Sequence, residues 1–261
     1  MENSNLPIST QWLLESSGST NQGIIKNVFL IYCQNTGSKG TGFLLKTGHI
    51  ITNWHVVQGC LANQIIALSS EQQKIDFKDV KIDENRDLVI LTPSVKLSGG
   101  LEIDEATAST ETKVITWGHP LGYNGPAPIL SVGYIAGFQD YKKSIESNIV
   151  KHYVVNGAFN PGNSGGPLII QGSEKVIGIV VAKHAPTTKF LQSALQVLAQ
   201  NGSGVVFAAT NESGQQQQFV ESQVVAMLLE HQQKMTQVMI GQAIASSELT
   251  SFLKEQGIEE K

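Results

Sequence analysis

One serine in this chain stands in a backbone setting that could make it a nucleophile. Ser164 lies in Asn160-Pro161-Gly162-Asn163-Ser164-Gly165-Gly166-Pro167, where glycines at 162, 165 and 166 permit conformations and close backbone approaches that other residues resist. Such a loop lets N–H groups converge on whatever the hydroxyl attacks. A free hydroxyl is a poor nucleophile, so a base and a group to orient that base must come from elsewhere. The best base is His55, in Thr52-Asn53-Trp54-His55-Val56-Val57, where the chain leaves the second strand of a hairpin predicted over 42–52. The best orienting group is Asp87, a single carboxylate before the apolar run Leu88-Val89-Ile90-Leu91. A carboxylate entering a core needs a partner, and an imidazole N–H supplies one. Each residue alone has a plainer reading: a capping serine, a strand-end histidine, a turn aspartate. Their joint occurrence favours acyl-transfer chemistry.

The order His55, Asp87, Ser164, with gaps of 87 − 55 = 32 and 164 − 87 = 77 residues, excludes the α/β-hydrolase and subtilisin orders. Arg86-Asp87-Leu88-Val89-Ile90-Leu91, Gly118-His119-Pro120-Leu121-Gly122 and the segment 159–168 add three further blocks to that of His55. With them the chain resembles the trypsin-like (chymotrypsin-fold) serine peptidases, and more closely their HtrA/Deg-type branch, over roughly residues 24–210. The resemblance implies that Ser164 attacks a peptide carbonyl, that His55 takes and returns the proton, and that Asp87 fixes the imidazole tautomer. It implies an oxyanion hole made by the N–H groups of Gly162 and Ser164. It puts Ala158 at the base of a specificity pocket, with Phe159, Val180, Ala182 and Lys183 near its walls and residues 178–182 as the strand that pairs with substrate. No aspartate waits there for a basic side chain, so a small or medium aliphatic residue is expected before the scissile bond. Lys183 and His184 leave an acidic one open. Asn163 stands where zymogen-activated relatives carry aspartate, which removes activation by a freshly cut N-terminus.

The elements that must position these groups read as an all-β chain with added helices, arranged as two six-stranded-type antiparallel β-barrels. Strands are predicted at 28–32, 42–45, 65–69, 88–91, 113–117, 131–138, 152–155, 168–170, 176–181 and 204–208. The expected division is an N-terminal segment 1–23, a first barrel 24–103 and a second barrel 104–213 that carries a helical insertion 188–200. A C-terminal helical extension follows over 214–261. The insertion places Phe190, Leu191, Ala194, Leu195 and Leu198 on one face, and a second amphipathic stripe runs from Val220 to Met239. Ser246-Ser247 reads as the cap of a final helix that Gly257 ends. The branch usually continues into a PDZ domain, for which 261 residues leave no room.

Composition bounds the partners. A net charge of −4 with no basic, aromatic-interleaved stripe excludes a nucleic-acid footprint, and no apolar run reaches membrane length. Protein or peptide substrates are expected, with self-association or a partner protein at the C-terminal helix. No metal or organic cofactor is called for, since no histidine pair shows ligand spacing. The N-terminus lacks a basic, apolar leader, so the expectation is a cytoplasmic protein with Cys33 and Cys60 as reduced thiols and a bridge between them as the alternative. A catalytically silent peptidase-fold binding or scaffold module is the rival reading.

Overall fold

Short β-rich runs broken by glycine and asparagine turns fold here into two closed barrels. The computed structural model describes residues 6–181, 189–210, 216–235 and 240–259. Two helices come first, α1 (Ile8–Ser16) and α2 (Ser19–Lys26). The first barrel comprises β1 (Val28–Cys33), β2 (Lys39–Leu44), β3 (Ile50–Thr52), β4 (Ile65–Leu68), β5 (Lys74–Asp83) and β6 (Leu88–Pro93), closed in the order β1-β2-β3-β6-β5-β4. A one-turn helix α3 (Trp54–Val57) follows β3. After the short β7 (Glu102–Ile103) come β8 (Lys113–Gly118), β9 (Ile129–Tyr141), β10 (Val150–Gly157), β11 (Pro167–Ile170) and β12 (Lys175–Val181).

The second barrel closes only with a strand much later in the chain. β15 (Ile240–Ala245) fits between β10 and β12, giving β11-β8-β9-β10-β15-β12, and pairing of β11 with β12 completes the ring. Between β12 and β15 lies a separate compact unit, residues 184–238, while 1–183 and 239–261 form the other. The inserted unit contains α4 (Lys189–Gln200), the hairpin β13 (Val206–Thr210) with β14 (Gln216–Val220), and α5 (Glu221–Met235). A final helix, α6 (Ser246–Glu255), follows β15 at once, with Gly257 at φ +69° beyond it.

Three expectations change. The strand predicted at 204–208 belongs to the inserted hairpin rather than to the second barrel, whose sixth strand is β15. The extension 214–261 is therefore not one helical piece: residues 240–255 complete a barrel and cap it. Position decides this, because Ile240–Ala245 meets open backbone edges on both β10 and β12. The first barrel begins at Val28 rather than at residue 24, because Ile24 and Ile25 belong to α2, where they are fully buried with residues of both barrels and α6.

The cysteines also differ from the reduced pair expected. Cys33 and Cys60 form a disulfide with their Cα atoms 5.9 Å apart. The end of β1 and the turn after α3 are held together by the surrounding backbone: the Asn35 side-chain amide donates to the Gly59 carbonyl at 2.8 Å. Among the described residues no helix is long and apolar enough to cross a membrane.

Candidate active site

Three consecutive residues converge on Asp87. The side-chain amide of Asn53 and the N–H of Trp54 both donate to the Asp87 carbonyl, at 2.9 and 3.2 Å. The His55 N–H donates to Asp87 Oδ1 at 2.9 Å, and His55 Nδ1 lies 2.7 Å from Oδ2. This places both carboxylate oxygens on one residue, with the imidazole oriented through its Nδ1. Asp87 takes φ +56°, a left-handed conformation that aspartate tolerates better than most residues. His55 sits within α3 rather than at the bare end of a strand, and its side chain keeps 40% of its surface in solvent.

Ser164 lies on the other barrel, in a loop stitched to β2 of the first. The residue is only 4% exposed, and its carbonyl accepts from the Thr41 N–H at 2.8 Å. Gly165, at φ +85°, lies so close to β2 and β3 that a Cβ there would fall 2.1 Å from the Thr41 carbonyl, 2.3 Å from Thr52 Oγ1 and 3.1 Å from the Asn53 nitrogen. No other residue type fits that contact. On its far side the loop pairs with β12, Gly165 N–H to the Val180 carbonyl at 2.9 Å and Val180 N–H to the Gly166 carbonyl at 2.8 Å.

The preceding residues fix the orientation of one backbone donor. The Pro161 carbonyl accepts from the Leu121 N–H at 2.7 Å. With no cis peptide in the described chain, the Gly162 N–H points the opposite way from that carbonyl, away from the 118–122 loop. Gly162 has φ +96°, and a Cβ would fall 2.4 Å from the His119 carbonyl, so glycine is required. Asn163 is fully buried, with its Oδ1 lacking a partner among the described residues.

The residues expected around a specificity pocket divide. Phe159 and Val180 are buried in the core of the second barrel, at 3% and 0% exposure, beside Leu168 and Ile177. Val180 meets the Ser164 loop through its backbone, and Ala158 is half-buried. Ala182 and Lys183, like His184, lie outside the described residues. A hollow of about 190 Å³ opens instead beside His55 and Asp87, lined also by Trp54, Tyr141, Lys143 and Val181. Lys143 Nζ lies 4.3 Å from the centre of the Trp54 ring and 3.3 Å from Glu84. Neither Tyr141 nor Lys143 carries a sequence signal for this place, because a long β9 and its register bring them there. Asn53 was legible only as a neighbour of His55.

His119 is 4% exposed, and burial pushes its imidazole down to about 4.

Two antiparallel six-stranded barrels, with the His55–Asp87 pair on one and the Ser164 loop on the other, define the chymotrypsin-like class of fold. Residues 40–179, more than half of the chain, match the family described as "Trypsin-like peptidase domain". The chain belongs to that family. It is 33% identical over 154 residues to Protease Do-like 1, chloroplastic, of Arabidopsis thaliana, covering 57% of this chain and 34% of that protein. It is 34% identical over 154 residues to the probable periplasmic serine endoprotease DegP-like of Hahella chejuensis, covering 56% and 30%. The match thus spans about a third of the length of these relatives. Among solved structures, the active form of the Rv3671c protease from M. tuberculosis superposes with TM-score 0.61 at 18% identity, over 95% of this chain and 87% of that one. The HtrA-type protease AlgW with tripeptide superposes with TM-score 0.55 at 20% identity, over 74% and 67%.

Proposed function

We propose that this chain is a serine endopeptidase acting on protein substrates through Ser164, His55 and Asp87. The observation that carries the reading is the double engagement of Asp87 by His55, through Oδ1 to the backbone and Oδ2 to Nδ1, on the barrel to which the Ser164 loop is stitched through Thr41. In this scheme the Ser164 hydroxyl attacks the peptide carbonyl carbon and its proton passes to His55 Nε2. Asp87 keeps the other ring nitrogen protonated and stabilises the imidazolium. The tetrahedral intermediate collapses as His55 gives the proton to the leaving amine, and water repeats the sequence on the acyl-enzyme. The developing oxyanion takes hydrogen bonds from Gly162 and Ser164 N–H, and the Pro161–Leu121 bond supports that orientation of Gly162.

Substrate would add as an extended segment at Val181 and the residues after it, since the Val180 N–H and carbonyl are already paired with Gly166 and Gly165. The hollow beside His55 suits an apolar side chain there, and Ala158 with the segment beyond Val181 remains the proposed lining for the residue before the scissile bond, with Phe159, Val180, Ala182 and Lys183. The Cys33–Cys60 bridge supports work in an oxidising compartment over the cytoplasmic expectation. Self-association through α6 has less support, because that helix packs Leu249, Phe252 and Leu253 into the core.

The test is labelling by a fluorophosphonate probe together with digestion of unfolded casein. The native protein should do both, and Ser164→Ala should do neither while melting at the same temperature. A folded native protein that stays unlabelled sinks the enzyme reading and leaves the scaffold module in its place.

A further inference from the structure

The hydroxyl of Thr41 occupies a junction that the reaction scheme does not use. Thr41 belongs to β2, on the barrel that carries His55, and is fully buried. Its Oγ1 donates to the Gly162 carbonyl at 2.6 Å and accepts from the His119 N–H at 3.0 Å. A hydroxyl has one proton and two lone pairs, so both bonds form at once. The main chain of the same residue donates to the Ser164 carbonyl at 2.8 Å and accepts from Thr52 Oγ1 at 2.7 Å.

The two peptides flanking Gly162 are therefore held at two points. That before it is fixed by Pro161 O to Leu121 N–H, and that after it by Gly162 O to Thr41 Oγ1. Both restraints converge, since the 118–122 loop that supplies Leu121 is itself tied through His119 N–H to the Thr41 hydroxyl. Glycine at φ +96° has two wide basins open to it, so the backbone of residue 162 does not hold itself in place. Removing the hydroxyl leaves a buried carbonyl and a buried N–H without partners, and the loop gains by turning to satisfy them.

Resting on the serine-peptidase reading, we infer that Thr41 is a positioning residue: its hydroxyl, reaching from the first barrel, holds Gly162 with its N–H set toward the oxyanion. The residue touches neither substrate nor Ser164 Oγ in this role. It acts through the Gly162 carbonyl.

The test compares Thr41→Val, which keeps the shape and loses the hydroxyl, with Thr41→Ser, which keeps the hydroxyl. Inactivation by a fluorophosphonate is read as kinact and KI, because phosphonylation of Ser164 with loss of fluoride draws on the same donors without requiring a known substrate. Thr41→Val should lower kinact by about 10- to 100-fold, less than outright loss of an oxyanion donor, with KI within about twofold. Thr41→Ser should stay within about threefold of native in both. Native kinetics in Thr41→Val overturns the inference and leaves the peptidase reading standing. Equal losses in both variants, accompanied by lower melting temperatures, also overturn it and assign Thr41 a packing role. A native protein that does not react removes the peptidase reading and this inference with it.

Discussion

Arg86 grips Glu255 with both arms of its guanidinium, Nη1 to Oε2 at 2.9 Å and Nη2 to Oε1 at 2.7 Å, and so ties the residue before Asp87 to the last turn of α6. The same guanidinium bonds Asp83, and its Nε lies 3.4 Å from Glu248, whose other oxygen accepts the Lys151 N–H at 3.1 Å. Glu255 is 52% exposed, whereas Asp83 and Glu248 are only 15% and 14% exposed. Removing the base of this cluster should therefore cost far more than removing its outer acid.

Glu255→Gln is expected to change stability by less than about 1 kcal/mol, because an exposed partner is well solvated. Arg86→Ala should cost roughly 2 kcal/mol or more, because it leaves two sheltered carboxylates without the cation they share. Urea unfolding of the two variants checks the ranking, and equal losses would contradict it.

Asp87→Asn probes the imidazole with little disturbance of the backbone. Asparagine tolerates φ +56°, and its Oδ1 can still accept the His55 N–H. The amide NH₂ then takes the place of Oδ2 and donates to Nδ1, which moves the ring proton to Nε2, where it cannot accept from a serine. Fluorophosphonate labelling should slow by about 10³- to 10⁴-fold with an unchanged melting temperature. Retention of most of the native rate would remove Asp87 from the chemistry.

Burial of His119 gives stability an acid limb. In the folded protein its imidazole is lowered to about 4 from an ordinary 6.5, so the folded state stays neutral while the unfolded chain takes up a proton. Stability is fully present above pH 6.5 and is lost as pH falls toward 4, by about 3 kcal/mol for a shift of 6.5 − 4 = 2.5. His49 adds a loss of the same sign, its burial and then Lys81 and Lys78 lowering it. His119→Asn should flatten the dependence of urea-unfolding stability on pH between 6.5 and 4. An unchanged slope would show that His119 is not its source.

The Cys33–Cys60 bridge closes a loop with a sequence separation of 27. Chain entropy puts its contribution at about 3.5 kcal/mol. The double variant with serine at both positions should unfold at lower urea by that amount, and a reductant should lower the native midpoint while leaving the variant unmoved. Equal midpoints would mean that the bridge constrains little.

The candidate site was legible because the chemistry proposed for it depends on residue types that announce themselves: a serine among glycines, a histidine after a hairpin, an aspartate before an apolar strand. Its supports were not. Thr41 reads as an ordinary β-strand threonine, and its hydroxyl gains meaning only when a loop more than a hundred residues away docks beside it. In the fold, β5 was legible and went unread: Lys74-Ile75-Asp76-Phe77 alternates charged and apolar residues, and Ile75 and Phe77 are buried as that period dictates. β15 was not, since Ile240-Gly241-Gln242-Ala243-Ile244-Ala245 continues the apolar stripe of the preceding helix and only its neighbours make it a strand. α2 hides behind a mid-helix glycine and polar residues, although Ile24 and Ile25 fill the space between the barrels.

The placement of β15 sets a timetable for synthesis. Until residues 240–245 leave the ribosome, β10 and β12 each carry an unsatisfied backbone edge, and the 184–238 unit is made in the interval. At about 5–20 residues per second those edges stay open for several seconds. During that wait the nascent second barrel is a template for strand addition by any extended chain, and the arrival of its own sixth strand ends the exposure.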